Sequence, residues 1–287
     1  MASSFVNSVR YRVTGIPSDL GISFEDVLFH TEDGIAISGW YLENSSSSTT
    51  IVIMHDLGRD RSDNKIGLLN LQVDYAKQGF SVLSFDMRGC GESTGKRGYF
   101  GQLETLDVEA ATLYARRRKP QDSIVLHGFG LGATLAIELS SQNQDVTAVI
   151  AEAPLNSLVD SLRESYLWMP DALFRLSSYF SKIIFKSDPY YFQLMEKVKN
   201  IDTPILFMHS EYDPIVPVRN SINLCASSTN TEHFFWMHEK HMGHCTYYLD
   251  NPIEYFIEIK DFISKFAPIP LHMVRDSDRD HFEQKVS

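Results

Sequence analysis

Three short segments of the sequence hold the residue types of a nucleophilic catalyst. The segment HGFGLG spans residues 127–132, Asp213 stands in HSEYDPIVP, and His244 stands in HMGHC. A histidine acts as a general base when a carboxylate orients its ring and balances its charge. The first segment has the spacing of the tight turn G-x-S-x-G, but Gly130 occupies the serine position. The pattern therefore predicts an acid and a base without a nucleophile side chain.

Each of these segments lies at or directly after the end of an apolar run that we interpret as a buried strand. The runs are SIVLH before the turn, TPILFMH before Asp213 and TEHFFWM before His244. The functional loops of a parallel sheet lie at the carboxyl ends of its strands. We therefore expect the three segments to meet at one edge of a sheet.

Strands alternate with helices along the rest of the chain. Two strands, FEDVLFHT and GIAISGWYLE, are predicted to turn at Asp33-Gly34, and further strands are TIVIMH, FSVLSFD and VTAVIAEAP. Helical spacing is found at Leu68 to Lys77, Leu103 to Arg118, ATLAIELSSQ and Asn251 to Phe266. This alternation predicts an α/β fold, with a mostly parallel central sheet and helices on both faces.

The chain is expected to form a single domain over residues 20–268. Residues 1–19 are an N-terminal segment, and the polar residues 271–287 are expected to be a flexible tail. The stretch 155–190 is rich in aromatic residues at helical spacing, which predicts a helical lid inserted between strands. The run from Ser45 to Thr50 is small and polar, and it is predicted to be an exposed loop.

These segments together resemble the bacterial α/β-hydrolases of the serine-aminopeptidase-like (S33-type, hydrolase-4) group. The resemblance covers roughly Phe24 to Phe266 and rests on TEDGIAISGWYL, MHDLGRDRSD, FDMRGCGESTGKRGYFG, HGFGLGATLA, TPILFMHSEYDPIVP and HMGHC in the family's order. It implies the α/β-hydrolase fold and the chemistry of esterases, lipases, thioesterases or peptidases on small acyl substrates. It implies neither a cofactor nor a metal.

The resemblance also assigns roles to individual positions. Gly130 matches the nucleophile position, Asp213 matches the triad acid, and His244 matches the general base. The backbone N–H groups of Leu131 and Leu57 match the two donors of the oxyanion hole.

Two positions depart from the family's pattern, and both lie in catalytic loops. Gly130 has no side chain, so no acyl-enzyme can form there. The loop after TIVIMH reads His55-Asp56, where the family has His-Gly. A carboxylate beside an oxyanion hole opposes the negative charge that develops during acyl transfer. The two departures predict lost or redirected catalysis.

Other residues could be read as nucleophiles, and a structural interpretation is favoured for each. Residues 91–95 are a literal G-x-S-x-G, but no strand enters it directly and no apolar helix leaves it. Ser93 is therefore expected to be structural, because this motif acts only in its strand–turn–helix context. Cys90 and Cys245 are isolated cysteines, which usually behave as small buried hydrophobes.

Three further groups of residues have both a functional and a structural interpretation. His238, His241 and His244 are spaced by three, as metal ligands on a helix would be, but the segment reads as a loop. The basic run from Arg116 to Lys119 is expected to be a solvated helix end. The aromatic residues of the lid stretch are expected to form the core of the lid, with a substrate pocket as the alternative; they are Tyr166, Trp168, Phe174, Tyr179 and Phe180.

Composition excludes several classes of function. The 287 residues include 26 Lys and Arg against 37 Asp and Glu, a net charge of −11, which argues against nucleic acid as the main partner. A hydrophobic fraction of 43% excludes a disordered chain. The N-terminal residues contain no long apolar run, so we expect neither a signal peptide nor a membrane span. Three cysteines without a CxxC pair indicate a reducing, cytoplasmic setting.

The sequence leaves three functions open. The first is a serine-hydrolase relative without its nucleophile, which binds a small acyl-type ligand or a protein partner. The second is an active hydrolase or lyase in which His244, oriented by Asp213, activates a water in the space left at Gly130. The third is an inactivated variant of a carboxylesterase-type enzyme. The first is favoured, because Gly130 and Asp56 alter two catalytic loops in the same sense.

Overall fold

The computed structural model describes residues 10–269, except residues 97, 100, 143–144, 158, 160–162, 164–165, 186–187, 189, 192 and 231. The predicted tail at residues 271–287 lies outside the described residues, as do residues 1–9 of the N-terminal segment and parts of the stretch 155–190.

The described residues form an eight-stranded sheet with the strand order β1-β2-β4-β3-β5-β6-β7-β8. The first two strands and β4 pair antiparallel, and the pairs from β4 through β8 are parallel. The strands are β1 Glu25–His30, β2 Ala36–Leu42, β3 Thr49–Met54, β4 Ser81–Phe85, β5 Ser123–Phe129, β6 Ala148–Glu152, β7 Ile205–Ser210 and β8 Phe234–His238.

Helices cover both faces of the sheet. They are α1 Leu68–Lys77, α2 Glu104–Arg118, α3 Leu131–Ser140, α4 Asp171–Phe185, α5 Leu194–Lys197, α6 Arg219–Ser227, α7 Tyr247–Asp250 and α8 Pro252–Phe266, with short 3₁₀ turns at Pro17–Leu20 and Val198–Asn200. One core layer contains apolar residues of α2 and α3, and the other contains those of α1 and α8. The central strands are buried at every residue except Ser123, as expected for parallel strands covered on both sides.

The structure corrects three expectations about local structure. Thr49 and Thr50, expected in an exposed loop, are fully buried at the start of β3, where their hydroxyls donate to Pro268 O at 2.6 Å and Asp122 Oδ2 at 2.8 Å. Helix α6 was not predicted, because the polar residues of RNSINLCAS have low helix propensity and the helix depends on tertiary packing. The four-residue α7 was also missed.

The described part of the stretch 155–190 contains α4, in agreement with the helical expectation. Its aromatic residues do not form one core. Phe174 is buried, but Trp168, Tyr179 and Phe180 are exposed, so the expectation of an internal core was wrong for these three. Tyr179 and Phe180 lie on a second apolar face of α4, which the described residues leave exposed, and Trp168 precedes the helix.

Candidate active site

Strand register brings the loops after β3 and β5 side by side. In this parallel pair Met54 lies opposite Gly128. Asp56 and Gly130 each follow two residues later, so they leave the sheet next to each other at its carboxyl edge. The two departures from the family pattern are thus neighbours in space.

Gly130 forms the turn between β5 and α3. Its backbone has φ 53° and ψ −113°, a conformation that side-chain-bearing residues rarely adopt. Its N–H donates to the carbonyl of Glu152 at 2.9 Å, and its carbonyl accepts from the N–H of Thr134 at 3.1 Å. The chain therefore keeps the strained strand–turn–helix geometry of a nucleophile elbow, although the side chain is missing.

The carboxylate of Asp56 fills the space above Gly130. A Cβ atom built on Gly130 would overlap the Asp56 carboxylate and lie 2.9 Å from its Oδ2 atom. The backbone N–H of Leu131 donates to Asp56 Oδ1 at 2.8 Å, and the backbone N–H of Leu57 faces the same carboxylate. The two N–H groups that the resemblance assigns to the oxyanion hole are thus directed at an anion supplied by the chain itself.

His244 lies between two carboxylates. Its Nδ1 atom is 2.6 Å from Asp213 Oδ2, and its Nε2 atom is 3.2 Å from Asp56 Oδ2. The other oxygen of Asp213 accepts the backbone N–H groups of Ile215 and Val216 at 2.8 and 2.9 Å. The Asp213 side chain has no exposed surface, His244 is 10% exposed and Asp56 is 23% exposed. The arrangement is therefore anchored at Asp213 and open to solvent at Asp56.

The ring of His244 is an imidazolium in this arrangement. Ionised carboxylates only accept hydrogen bonds, so a ring that bonds to one carboxylate through each nitrogen carries both protons. Burial works against the charged ring, but the hydrogen bonds to the carboxylates of Asp213 and Asp56 outweigh it and raise the pKa of His244 above its usual range. Burial also acts to raise the pKa of Asp56, and its bond to His244 more than offsets this and lowers that pKa.

Cys245 is not placed as a nucleophile. It has a left-handed backbone with φ 55°, and its thiol is buried 3.8 Å from the carbonyl of Glu152 and from His244 Nε2. Burial raises the pKa of this thiol to about 12, so it is not a thiolate at neutral pH. Cys90 is likewise buried, with a pKa raised to about 12 by burial.

A chain of buried hydrogen bonds lies beneath the site, and sequence reasoning missed it. Tyr255 donates to Glu152 Oε2 at 2.5 Å and lies 3.2 Å from His127 Nε2, while Tyr75 lies 3.0 Å from His127 Nδ1. Burial raises the pKa of Glu152 to about 7 and lowers that of His127 to about 3. His127 is therefore neutral, donating to Tyr255 and accepting from Tyr75. The position of His127 at the end of the apolar run SIVLH gave no sign of polar partners.

Ser93 is held by backbone groups. Its hydroxyl donates to the carbonyl of Asp86 at 2.5 Å and accepts the N–H of Ser38 at 2.9 Å, and its side chain is fully buried. The structural interpretation of this serine agrees with these contacts.

The three histidines spaced by three face different partners. His238 stacks on Tyr247 with ring centroids 3.9 Å apart, and His241 Nε2 bonds to Thr246 Oγ1 at 2.9 Å. Within the part of the chain that the structure describes, no three His, Cys, Asp or Glu side chains are grouped as a metal site requires. The same part of the chain contains no helix long and apolar enough to cross a membrane.

The contact between Asp56 and His244 is the feature that sequence reasoning did not find. The sequence placed Asp56 beside the oxyanion hole as an opposing charge, but not as the occupant of the missing side chain's position. The sequence did contain a signal: the loop after β5 has Gly130 in place of a serine, and the loop after β3 has Asp56 in place of a glycine. One loop loses a side chain and its neighbour gains one.

Comparison with known proteins supports a relationship to hydrolases. The family model described as Serine aminopeptidase, S33 matches residues 51–188, slightly less than half of the chain. Protein bem46 of Schizosaccharomyces pombe is 25% identical over 242 residues, covering 81% of this chain and 76% of that protein. Lysophosphatidylserine lipase ABHD12 of Mus musculus is 25% identical over 252 residues, covering 81% of this chain and 60% of the lipase.

An uncharacterized protein of Mycobacterium tuberculosis is 27% identical over 213 residues, covering 73% of this chain and 69% of that protein. Among solved structures, an esterase of Pyrococcus furiosus superposes with a TM-score of 0.78 at 23% identity. The superposition covers 92% of this chain and 99% of the esterase.

Proposed function

We propose that this chain has lost serine-based acyl transfer and that Asp56 has taken the nucleophile's position. The chain has the α/β-hydrolase fold and is related to esterases and lipases. The observation that carries this proposal is the overlap of the Asp56 carboxylate with the space of a side chain on Gly130. The fold is the one that the sequence predicted. The loss of acyl transfer is supported by the geometry of the two loops.

The charges of the site oppose ester and peptide hydrolysis by the usual route. That route needs an empty oxyanion hole, in which N–H groups stabilise the negative oxygen of the tetrahedral intermediate. Here the N–H of Leu131 is already bonded to Asp56 Oδ1. It also needs a neutral histidine as base, whereas His244 bonds to a carboxylate through each nitrogen.

The same charges disfavour an activated water as the sole chemistry of the site. His244 would have to lose a proton to act on that water, and its raised pKa keeps it protonated near neutral pH. The space left at Gly130 is filled by Asp56 rather than open to water. An inactivated carboxylesterase is disfavoured for the same reason, because loss of serine alone does not supply the complementary aspartate.

The ligand class that we propose is a small molecule with an apolar chain. Three exposed apolar residues stand within two positions of the site residues: Leu57 next to Asp56, Ile215 after Asp213 and Met242 before His244. Such residues favour acyl or alkyl chains over charged ligands. The overall charge of −11 argues in the same direction against anionic polymers.

The proposal is tested by rebuilding the ancestral arrangement in steps. We expect the parent chain and Gly130→Ser to be inert toward p-nitrophenyl butyrate and unlabelled by a fluorophosphonate, because Asp56 blocks the serine. Gly130→Ser combined with Asp56→Gly should gain both activities, and adding His244→Ala should remove the hydrolysis.

Esterase activity in the parent chain that survives Asp56→Gly would contradict the proposal, as would stoichiometric fluorophosphonate labelling of the parent. Thermal unfolding of every variant provides the control for folding, since Gly130→Ser also places a side chain at a positive φ.

A further inference from the structure

We infer that the cavity beside α2 and α3 is a second binding site, and that its ligand is a small organic cation, a primary ammonium group on a short apolar chain. Among the described residues, the cavity shares no lining residue with the site around Asp56 and His244. Binding at this cavity does not depend on the proposed loss of acyl transfer.

The cavity lies beside the first turns of α2 and the last turn of α3, and its volume is about 500 Å³. Pockets for small ligands commonly have volumes of about 300–1,000 Å³. Glu138, one of the lining residues, follows Leu131 at a distance of about 10 Å along the axis of α3. A ligand in this cavity therefore occupies a different place from a ligand at Gly130.

Glu138 lines the cavity and has a buried carboxylate, with a side chain that is 1% exposed. Its Oε1 atom accepts from Lys197 Nζ and from Gln142 Nε2, the latter at 2.9 Å. Its Oε2 atom is buried and has no hydrogen-bond partner among the described residues. Because a buried carboxylate oxygen without a donor costs free energy, a ligand that brings an N–H group to Oε2 gains that free energy on binding.

The charges around the cavity favour a cation. Glu109 of α2 is a second carboxylate in the lining, and its side chain is exposed. Lys197 balances one of the two negative charges, so one remains. The C-terminal end of α3, at Ser140, adds the partial negative charge of its last carbonyl groups. A ligand with a single positive charge therefore neutralises the cavity.

The N-terminal end of α2 does not provide a matching site for an anion. The N–H of Thr105 donates to the carbonyl of Gly101 at 3.2 Å, and the N–H of Leu106 donates to the carbonyl of Leu103 at 3.1 Å. An anion would find these donors occupied and would be repelled by the two carboxylates.

The remaining lining residues define the rest of the ligand. Apolar and aromatic side chains in the lining are Leu103, Leu106, Leu139 and Tyr191. Leucines favour a hydrocarbon chain, and a tyrosine ring attracts cations. A bare metal ion is disfavoured, because the described part of the chain has no group of three His, Cys, Asp or Glu side chains to hold one. A quaternary ammonium has no N–H for Glu138 Oε2, so a primary ammonium fits best.

The experiment measures binding to the parent chain by isothermal titration calorimetry. The probes are hexylammonium, hexyltrimethylammonium and 1-hexanol, which share one chain and differ in the N–H groups and the charge. We expect saturable binding of one hexylammonium per chain. The two analogues should bind more weakly by about tenfold or more, the loss expected when a hydrogen bond to a charged group is removed.

Three Glu→Gln variants locate the site. Glu138→Gln keeps the shape of the side chain and should weaken hexylammonium binding by about tenfold or more. Glu109→Gln, at an exposed position, should weaken it by about two- to fivefold. Glu232→Gln makes the same change of charge at an exposed side chain outside the cavity and should bind like the parent.

Circular dichroism shows whether each variant is folded, and the comparison of the three probes needs no variant. Absence of saturable hexylammonium binding would overturn the inference, as would equal affinity for either analogue or equal affinity in folded Glu138→Gln. Loss of binding in Asp56→Asn would also overturn it, because it would place the cation at the other site. The fluorophosphonate and ester assays are separate measurements, so they test the proposed function whatever the cation binding shows.

Discussion

Two groups of buried opposite charges follow the neighbouring strands β3 and β4, and they differ in their access to solvent. The loop cluster is formed by the loops after β3 and β4 and by α2. It pairs arginines with aspartates, all 2% exposed or less: Arg61 with Asp86, and Arg88 with Asp107. The site cluster, around the end of β3, consists of Asp56, His244 and Asp213, with Asp56 23% exposed. Asp33 and Glu92 bond to these arginines from the surface and are 37% and 60% exposed, whereas in the site cluster the partly exposed carboxylate is Asp56, which bonds directly to His244.

The contents of the two clusters differ as well. Arg88 donates to Asp107 at 2.9 Å and to Asp33 at 2.7 and 3.0 Å, so each nitrogen of its guanidinium bonds to a carboxylate. The site cluster instead uses a histidine, which stays protonated while both of its carboxylate partners are ionised. The charge of this histidine therefore depends on its partners, whereas the arginines of the loop cluster are charged without them.

Breaking the loop cluster should produce the largest loss of stability. Arg88→Met leaves Asp107 buried without its cation, and we expect a loss of about 3–5 kcal/mol in the free energy of unfolding. Urea unfolding followed by circular dichroism measures this loss.

The matched control for this variant is Arg118→Met. Arg118 pairs with Glu25 and Glu43 at 2.9 and 3.1 Å, but its side chain is 32% exposed. An exposed pair contributes at most about 1 kcal/mol, so the control should unfold close to the parent. Equal losses in the two variants would contradict the division between buried and exposed pairs.

A carboxylate beneath the site, Glu152, takes its side-chain hydrogen bond from a tyrosine instead of an arginine, and it sharpens the comparison. Burial raises the pKa of Glu152 from 4.5 to about 7, with Tyr255, His244 and Asp213 as its polar neighbours. Because the folded state holds this proton more tightly, the contribution of Glu152 to stability is present below about pH 4.5 and is lost as pH rises through 7.

Glu152→Gln removes this ionisation. At pH 8 the variant should be more stable than the parent by at most about 3 kcal/mol, and at pH 4 the two should unfold alike. Thermal unfolding as a function of pH measures the difference. A constant difference from pH 4 to pH 8 would show that Glu152 does not titrate as burial requires.

The sequence predicted the strand ends that carry the site because apolar runs and turn residues report local structure well. Gly130, Asp213 and His244 were placed at one edge of a parallel sheet, and the structure brings them there. Asp56 was placed correctly along the chain, but its contact with His244 depends on the register Met54 opposite Gly128 and on a side-chain rotamer. Neither of these is encoded in a local pattern. The polar chain from Glu152 to Tyr75 was missed for the same reason, since its members come from four separate elements.

A smaller loss of stability is expected for a variant of the literal G-x-S-x-G motif at residues 91–95, which tests whether this motif is part of the site. Ser93→Ala removes the hydroxyl bonded to Asp86 O and to the Ser38 N–H, and we expect a loss of about 1–2 kcal/mol. When Ser93→Ala is added to the combined Gly130→Ser and Asp56→Gly variant, the regained ester hydrolysis and fluorophosphonate labelling should be unchanged. Loss of these activities in the folded protein would contradict a structural role for Ser93.

The pairing of Asp56 with His244 is tested most directly by nuclear magnetic resonance of the imidazole nitrogens. With ¹⁵N-labelled histidine, the pKa of His244 is measured in the parent chain and in Asp56→Asn. We expect His244 of the parent to remain an imidazolium at pH 8, and its pKa to fall in Asp56→Asn, because one of its two carboxylates becomes neutral. A pKa near the ordinary value of about 6.5 in both proteins would contradict the account.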